Sequence, residues 1–160
     1  MKSRLPILAL MLMLLSCQQG TVVNELREFP DEQWKVADSL TFEFNLKEVD
    51  RAYDLSLSLR HTTDYIYSNL YLFAITTIPG PEIRQDTIEF ILSRPDGKWI
   101  GKGFGRIRYN EFMIRKGMMF PDTGHYVFTF RHGMRSDPLE GIRSFGFHLE
   151  KTDIPVQPGS

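Results

Sequence analysis

Cysteine is almost missing from this chain: Cys17 is the only one in 160 residues. A lone thiol cannot form an internal disulfide, cannot assemble a multi-cysteine metal site and cannot work as a redox pair. Charge of one sign is lacking too. Nineteen Lys and Arg stand against 20 Asp and Glu, a net charge of −1, so the strong basic field that binds a nucleic-acid backbone is absent. The longest apolar run, Leu5 to Leu15, is broken at Pro6 and falls short of the roughly 20 residues that span a bilayer. No long segment repeats with helical period, and no internal repeat is visible. The four histidines, His61, His125, His132 and His148, are scattered. None lies in an H-E-x-x-H pattern, and no metal site is predicted from them. Nothing marks a nucleophile with an oriented base, and no acidic residue is expected at an inward strand position where burial would tune it for acid work. No catalytic group and no cofactor are therefore expected.

What is present begins at the amino terminus. Lys2 and Arg4 precede the apolar run, and Ser16 precedes Cys17. This is the layout of a secretory signal peptide over residues 1–16. Leu14-Leu15-Ser16-Cys17 resembles the lipobox of bacterial lipoproteins, in which the cysteine is acylated and becomes the first mature residue. Cys17 is thus the expected lipid-attachment site, and acyl chains would hold the mature protein at a membrane. Cleavage removes Lys2 and Arg4 and leaves a small acidic excess. Residues 17–28, polar and mostly without period, read as a tether. Residues 29–152 form the domain, large enough for its own core, and 153–160, with Pro155, Pro158 and Gly159, read as a flexible tail.

Within the domain the period is two. Leu40, Phe42, Phe44 and Leu46 alternate with Thr41, Glu43 and Asn45. Tyr53, Leu55, Leu57 and Leu59 alternate with polar neighbours in the same way, and the short polar link between these runs predicts an antiparallel pair. Asn69 to Thr77 is apolar on both faces, as a central or covered strand would be. Ile88, Phe90 and Leu92, then Tyr126, Phe128 and Phe130, then Phe145, Phe147 and Leu149 continue the pattern. Ile107 to Met119 supplies a further strand or an irregular crossover. Pro95-Asp96-Gly97 and Pro121-Asp122-Thr123-Gly124 are turns, and Asp137 to Gly141 reads as a helical turn. Seven to nine short strands without a long helix predict an all-β fold, a two-sheet antiparallel β-sandwich of jelly-roll or immunoglobulin-like type.

Gly101, Gly103 and Gly105 form G-x-G-x-G, but no βαβ unit surrounds them, and they read as a bend or bulge at a sandwich corner. The most unusual stretch is Arg60 to Tyr71, where aromatic rings alternate with hydrogen-bonding groups. Arg with Tyr is a composition favoured at interaction hot spots. Arg60, Asp64, Tyr65, Asn69 and, after a later strand, Arg135 are the candidate partner-binding residues. Asp64 is placed to pair with Arg60, and Arg60 and Arg135 to share a surface. The competing reading makes Tyr65 and Tyr67 a cover for the sheet, with Asp64 and Asn69 satisfying loop backbone.

Several segments together resemble the gliding-motility lipoprotein H family of the Bacteroidota. They are Phe29 to Trp34, Tyr53 to Arg60, Asp64 to Phe73, Gly97 to Gly103, Phe120 to Tyr126 and Met134 to Ile142. The resemblance implies a small, non-enzymatic envelope lipoprotein associated with gliding machinery and its coupled protein secretion system, with other envelope proteins as partners. Surface-exported lipoproteins of this group carry acidic residues after the cysteine. Gln18-Gln19-Gly20-Thr21 has none, which predicts a periplasm-facing domain. A glycan-binding module, with Trp34, Tyr65, Tyr67 and Trp99 as stacking platforms, is the second reading, and a small hydrolase the third.

Overall fold

The computed structural model describes residues 20–156. The signal peptide, Cys17 and residues 157–160 lie outside the described residues. Ten strands follow in order: β1 (Thr21–Glu28), β2 (Gln33–Trp34), β3 (Leu40–Leu46), β4 (Arg51–Thr62), β5 (Asn69–Thr77), β6 (Ile83–Ile91), β7 (Ile107–Met118), β8 (Gly124–His132), β9 (Leu139–Glu140) and β10 (Ile142–Pro155). One antiparallel sheet has the order β1-β10-β4-β7 and the other β3-β8-β5-β6, with β2 and β9 as a small ribbon at one end. This is the expected all-β sandwich.

Alternation decides which face each strand buries. Leu40, Phe42, Phe44 and Leu46 of β3 turn inward, as do Leu55, Leu57 and Leu59 of β4 and Phe145, Phe147 and Leu149 of β10. The rows meet ring on ring. Phe42 stacks on Phe147 with centroids 5.2 Å apart, Phe128 lies 5.1 Å from Phe147, and Phe130 lies 5.3 Å from Phe145. Each buried ring contributes roughly 1.5–3 kcal/mol of transfer free energy, which is how the core holds without a disulfide.

Alternation does not name the neighbour, and here the expected β3–β4 pair is corrected. β3 pairs with β8, from Leu40↔Phe130 to Leu46↔Gly124, whereas β4 lies between β10 and β7. Residues 47–50 carry the chain from one sheet to the other. Two inward rows bury each other across a sandwich as well as side by side, so the same pattern serves both arrangements.

Three further expectations are corrected. Thr21–Glu28, assigned to the tether, is a strand paired to β10 from Thr21↔Glu150 to Glu28↔Ser144. It is an edge strand held by main-chain bonds, and polar side chains on such an edge disguise it as linker. Residues 153–155, assigned to the tail, continue β10: Pro155 opposes Arg51, and the amide of Val156 donates to the Asp50 carbonyl at 2.9 Å. Asp137 to Gly141 is not a helical turn. Leu139 and Glu140 pair with Trp34 and Gln33 as a ribbon, which buries Leu139 and Trp34 together.

β5 is central in its sheet, as expected. Leu70, Leu72 and Ala74 face the core, but the outer row of Tyr71, Phe73 and Ile75 is not covered. In the glycine-rich stretch, a Cβ on Gly103 would lie 2.1 Å from the Ile107 carbonyl oxygen. The backbones approach too closely there for any side chain, which is the bend that was anticipated.

Candidate functional site

The sandwich has two dissimilar ends. Gly20 and the links 47–50, 78–82 and 119–123 lie at one. At the other, the loops after β1, β4, β6 and β8 converge, and most of the predicted binding residues are found there.

Arg106, in the loop before β7, organises this loop end. Its guanidinium donates to both oxygens of Glu32, at 3.0 and 2.9 Å, and to Asp64 Oδ2 at 2.7 Å. Arg143 donates to the same Glu32 Oε1 at 3.0 Å. Glu32 and Arg106 thereby join three loops and the start of β10. Glu32 itself has φ of +56°, in the left-handed region that a residue with a Cβ enters only under constraint. The constraint is visible: its carbonyl accepts the amides of Gly141 at 2.8 Å and Ile142 at 3.2 Å. Gly141, with φ of +84°, stands so close to the β4–β5 loop that a Cβ would lie 3.0 Å from Tyr65 N.

Beneath this network is a buried aromatic layer. Tyr65 donates its hydroxyl to the Asn69 carbonyl at 2.8 Å. Burial pushes its phenol well above the ordinary value, so it stays a donor. His61 packs 4.7 Å from Trp99 and 5.7 Å from Tyr65, and its Nδ1 lies 2.9 Å from the Thr62 carbonyl. A carbonyl only accepts, so Nδ1 carries the proton. Burial lowers the His61 pKa, and the Thr62 bond opposes that shift. His132, edge-on to Trp34 at 5.5 Å, is also lowered by burial.

The predicted residues separate. Asp64 meets Arg106, not Arg60. Asn69 donates its amide to Glu89 Oε1 at 2.7 Å. Tyr65 is buried and packs the loop. Arg60 lies on the outer face of β4, 5.9 Å over the Tyr109 ring, and Arg135 is exposed in the loop after β8 of the other sheet. The two loops do meet, but through Tyr67 and Ser136, whose hydroxyls are 2.6 Å apart. Glu32, Arg106 and Arg143 were missed. Their partners are 42 to 111 residues away, and no local spacing signals such contacts.

The rings proposed as glycan platforms form none. Trp34 and Tyr65 are buried, and Trp99 is half-buried against His61. The exposed apolar groups are others: Phe104, 97 % exposed, Ile66, 78 % exposed, and the outer β5 row with Ile91 beside it. The loops of Phe104 and Ile66 are neighbours, since the Thr63 amide donates to the Arg106 carbonyl at 2.7 Å. Exposed apolar groups on adjoining loops mark contact surfaces more often than isolated ones do. The network carboxylates are committed to guanidinium groups, which suits holding loop shape rather than moving protons.

The chain is 30% identical over 145 residues to the gliding motility lipoprotein GldH homolog of Christiangramia forsetii, covering 86% of this chain and 88% of that one. It is 26% identical over 149 residues to the gliding motility lipoprotein GldH of Flavobacterium johnsoniae, covering 89% and 92%. Among solved structures, dimeric latent PorU from Porphyromonas gingivalis aligns at 12% identity and a TM-score of 0.31, over 86% of this chain and 14% of that one. The family model described as GldH lipoprotein matches residues 21–149, a span that runs from the start of β1 to the body of β10, and the chain belongs to that family.

Proposed function

We propose that the protein is a lipid-anchored, non-catalytic component of the bacterial envelope that serves gliding machinery and its associated secretion system by contact. Cys17 carries the lipid, and the sandwich faces the periplasm. The observation that carries this reading is the polarity of the body. β1 starts at Thr21, four residues after Cys17, so the Gly20 end is kept within about 14 Å of the anchor by chain length. The end with braced loops and exposed Phe104 and Ile66 points away. In this reading Asp64, Tyr65 and Asn69 hold the shape of the contact surface, while Arg60 and Arg135 present charge on its flanks.

Affinity capture of partners from native envelopes tests it. Phe104→Asp leaves the fold intact and abolishes capture, and Arg60→Ala and Arg135→Ala weaken it. Capture by Phe104→Asp equal to wild type would refute the assignment of this end. The mass of the mature N-terminal peptide reports acylation, an unmodified Cys17 thiol being the adverse result. Protease added to intact cells spares a periplasmic domain and removes a surface one.

A further inference from the structure

The two sheets do not close along their whole free edge. β6 and β7 are the facing edge strands, and near the loop end of β6 Phe90 stacks on Phe112 with centroids 3.9 Å apart. From there toward the Gly20 end the sheets enclose a cleft of about 570 Å³. Leu55, Leu57, Ala74, Ile114, Phe128 and Phe130 line it. Ala74 and Thr76 are the small residues that leave the space, standing where larger side chains fill the rest of the core. Protein interiors are close-packed, and an open cleft of this size, apolar at its base and polar toward its mouth, is in the range of small-molecule sites.

Charged groups stand at its mouth on inward positions. Arg84 and Asp86 share the side of β6 that carries Ile88 and Phe90, and both are exposed. On β7 the register slips, so that Leu55 opposes Arg115 while Ser56 opposes Met113. The extra residue puts Arg115 on the same side as Leu55. Re-aiming a side chain is a recurrent use of a bulge. Arg84 is paired with Glu82 at 2.8 Å. Arg115 and Lys116 have no ion-pair partner among the described residues. Met118 and Met119 complete the rim with side chains that adapt to irregular apolar ligands.

Apolar walls behind a mouth where Arg115 and Lys116 outnumber Asp86 suit an amphiphile with an anionic head. We infer that the cleft binds a long-chain fatty acid, with its chain against Ala74 and Phe128 and its carboxylate at Arg115 and Lys116. The mouth is on the anchored side of the body: Gly117 N donates to Asp54 Oδ1 at 2.7 Å, Asp54 opposes Glu150, and Glu150 opposes Thr21. Delivery from a bilayer rests on the acylated-Cys17 reading, but binding in the cleft does not.

The mature acylated protein, reconstituted in neutral phosphatidylcholine vesicles with a trace of palmitic acid carrying a diazirine near its chain end, provides the test. Irradiation labels peptides containing Leu57, Ala74 or Phe128, and unlabelled palmitate competes. Ala74→Trp fills the cleft and removes the label. Arg115→Glu with Lys116→Glu, both exposed positions, raises the competing palmitate concentration about tenfold, as loss of charge-assisted bonds predicts. Label confined to exposed loops, or label unchanged in a folded Ala74→Trp, overturns the inference. Should Ala74→Trp fail to fold, unchanged competition in the charge-reversed protein overturns it. Vesicle flotation reports the anchor separately. Protein that floats with an unlabelled cleft refutes the site alone, and labelled protein that does not float refutes the anchor alone.

Discussion

Glu32 shows how a single residue is set against its own backbone preference by distant groups. Its left-handed φ costs a residue with a Cβ about 1–2 kcal/mol relative to glycine, and its carboxylate collects Arg106 and Arg143. Arg106 is half exposed, so solvent screens these pairs and they contribute little to global stability. Glu32→Gly and Glu32→Ala lose the same ion pairs, but only alanine keeps the strain. Urea unfolding is therefore expected to find Glu32→Gly more stable than Glu32→Ala by about 1 kcal/mol; equal midpoints would mean the backbone relaxes on truncation. The buried histidines give a pH dependence whose sign is fixed. His61 and His132 have folded pKa values below 6.5, chiefly through burial, so the unfolded chain binds more protons as pH falls through 6.5. Their contribution to stability is intact above that pH and is lost below it. His132→Phe, which keeps the aromatic contact with Trp34, is expected to flatten the fall in melting temperature between pH 8 and pH 5, and a slope as steep as wild type would assign the fall elsewhere. Neither feature could be read from the chain. A positive φ at a glutamate and a histidine buried against Trp34 are consequences of contacts made far along the chain, whereas Cys17 was conspicuous because its signal is local.

At the scale of elements, what was legible followed the strength of alternation. β3, β4, β8 and β10 are strict period-2 runs with large apolar residues, and each appears where expected. β1 escaped notice because only Val23 among Thr21–Glu28 is buried, while its guanidinium at Arg27 lies 4.8 Å over the Phe42 ring and covers the core from outside. Strand pairing escaped notice too, since a four-residue link can turn within a sheet or cross between sheets, and Lys47 to Asp50 crosses. The small ribbon of β2 and β9 was hidden by its length: two residues cannot show a period. These differences have a measurable consequence for residues 21–28. A tether can be shortened freely, but a strand that covers the β10 edge cannot. Deletion of Thr21–Glu28 is expected to abolish cooperative thermal unfolding or drive aggregation through the exposed β10 edge, and a melt unchanged from wild type would return the segment to the role of linker.

The molecule as a whole is a slab with two dissimilar ends, and the inward rows that make it a sandwich also keep those ends apart. The sandwich class was legible because a two-sheet fold needs only a consistent inner face, but the polarity was not. It depends on strand order, on a bulge that turns Arg115 inward, and on loops drawn together by Arg106. If the Gly20 end takes an acyl chain from the bilayer and the loop end takes a protein partner, distance from the membrane must affect them differently. A flexible Gly/Ser insert of 20 residues between Gln19 and Gly20 adds a root-mean-square reach of about 25 Å. Melting is expected to be unchanged, since the insert lies ahead of β1. Labelling of the cleft by bilayer palmitate is expected to fall, because the mouth no longer rests at the surface, whereas binding of palmitate offered in solution persists. Phe104→Asp should do the reverse, abolishing partner capture while cleft labelling stays at the wild-type level. Loss of both activities in either protein would mean that the two ends are coupled through the core, and the division of labour proposed for them would fail.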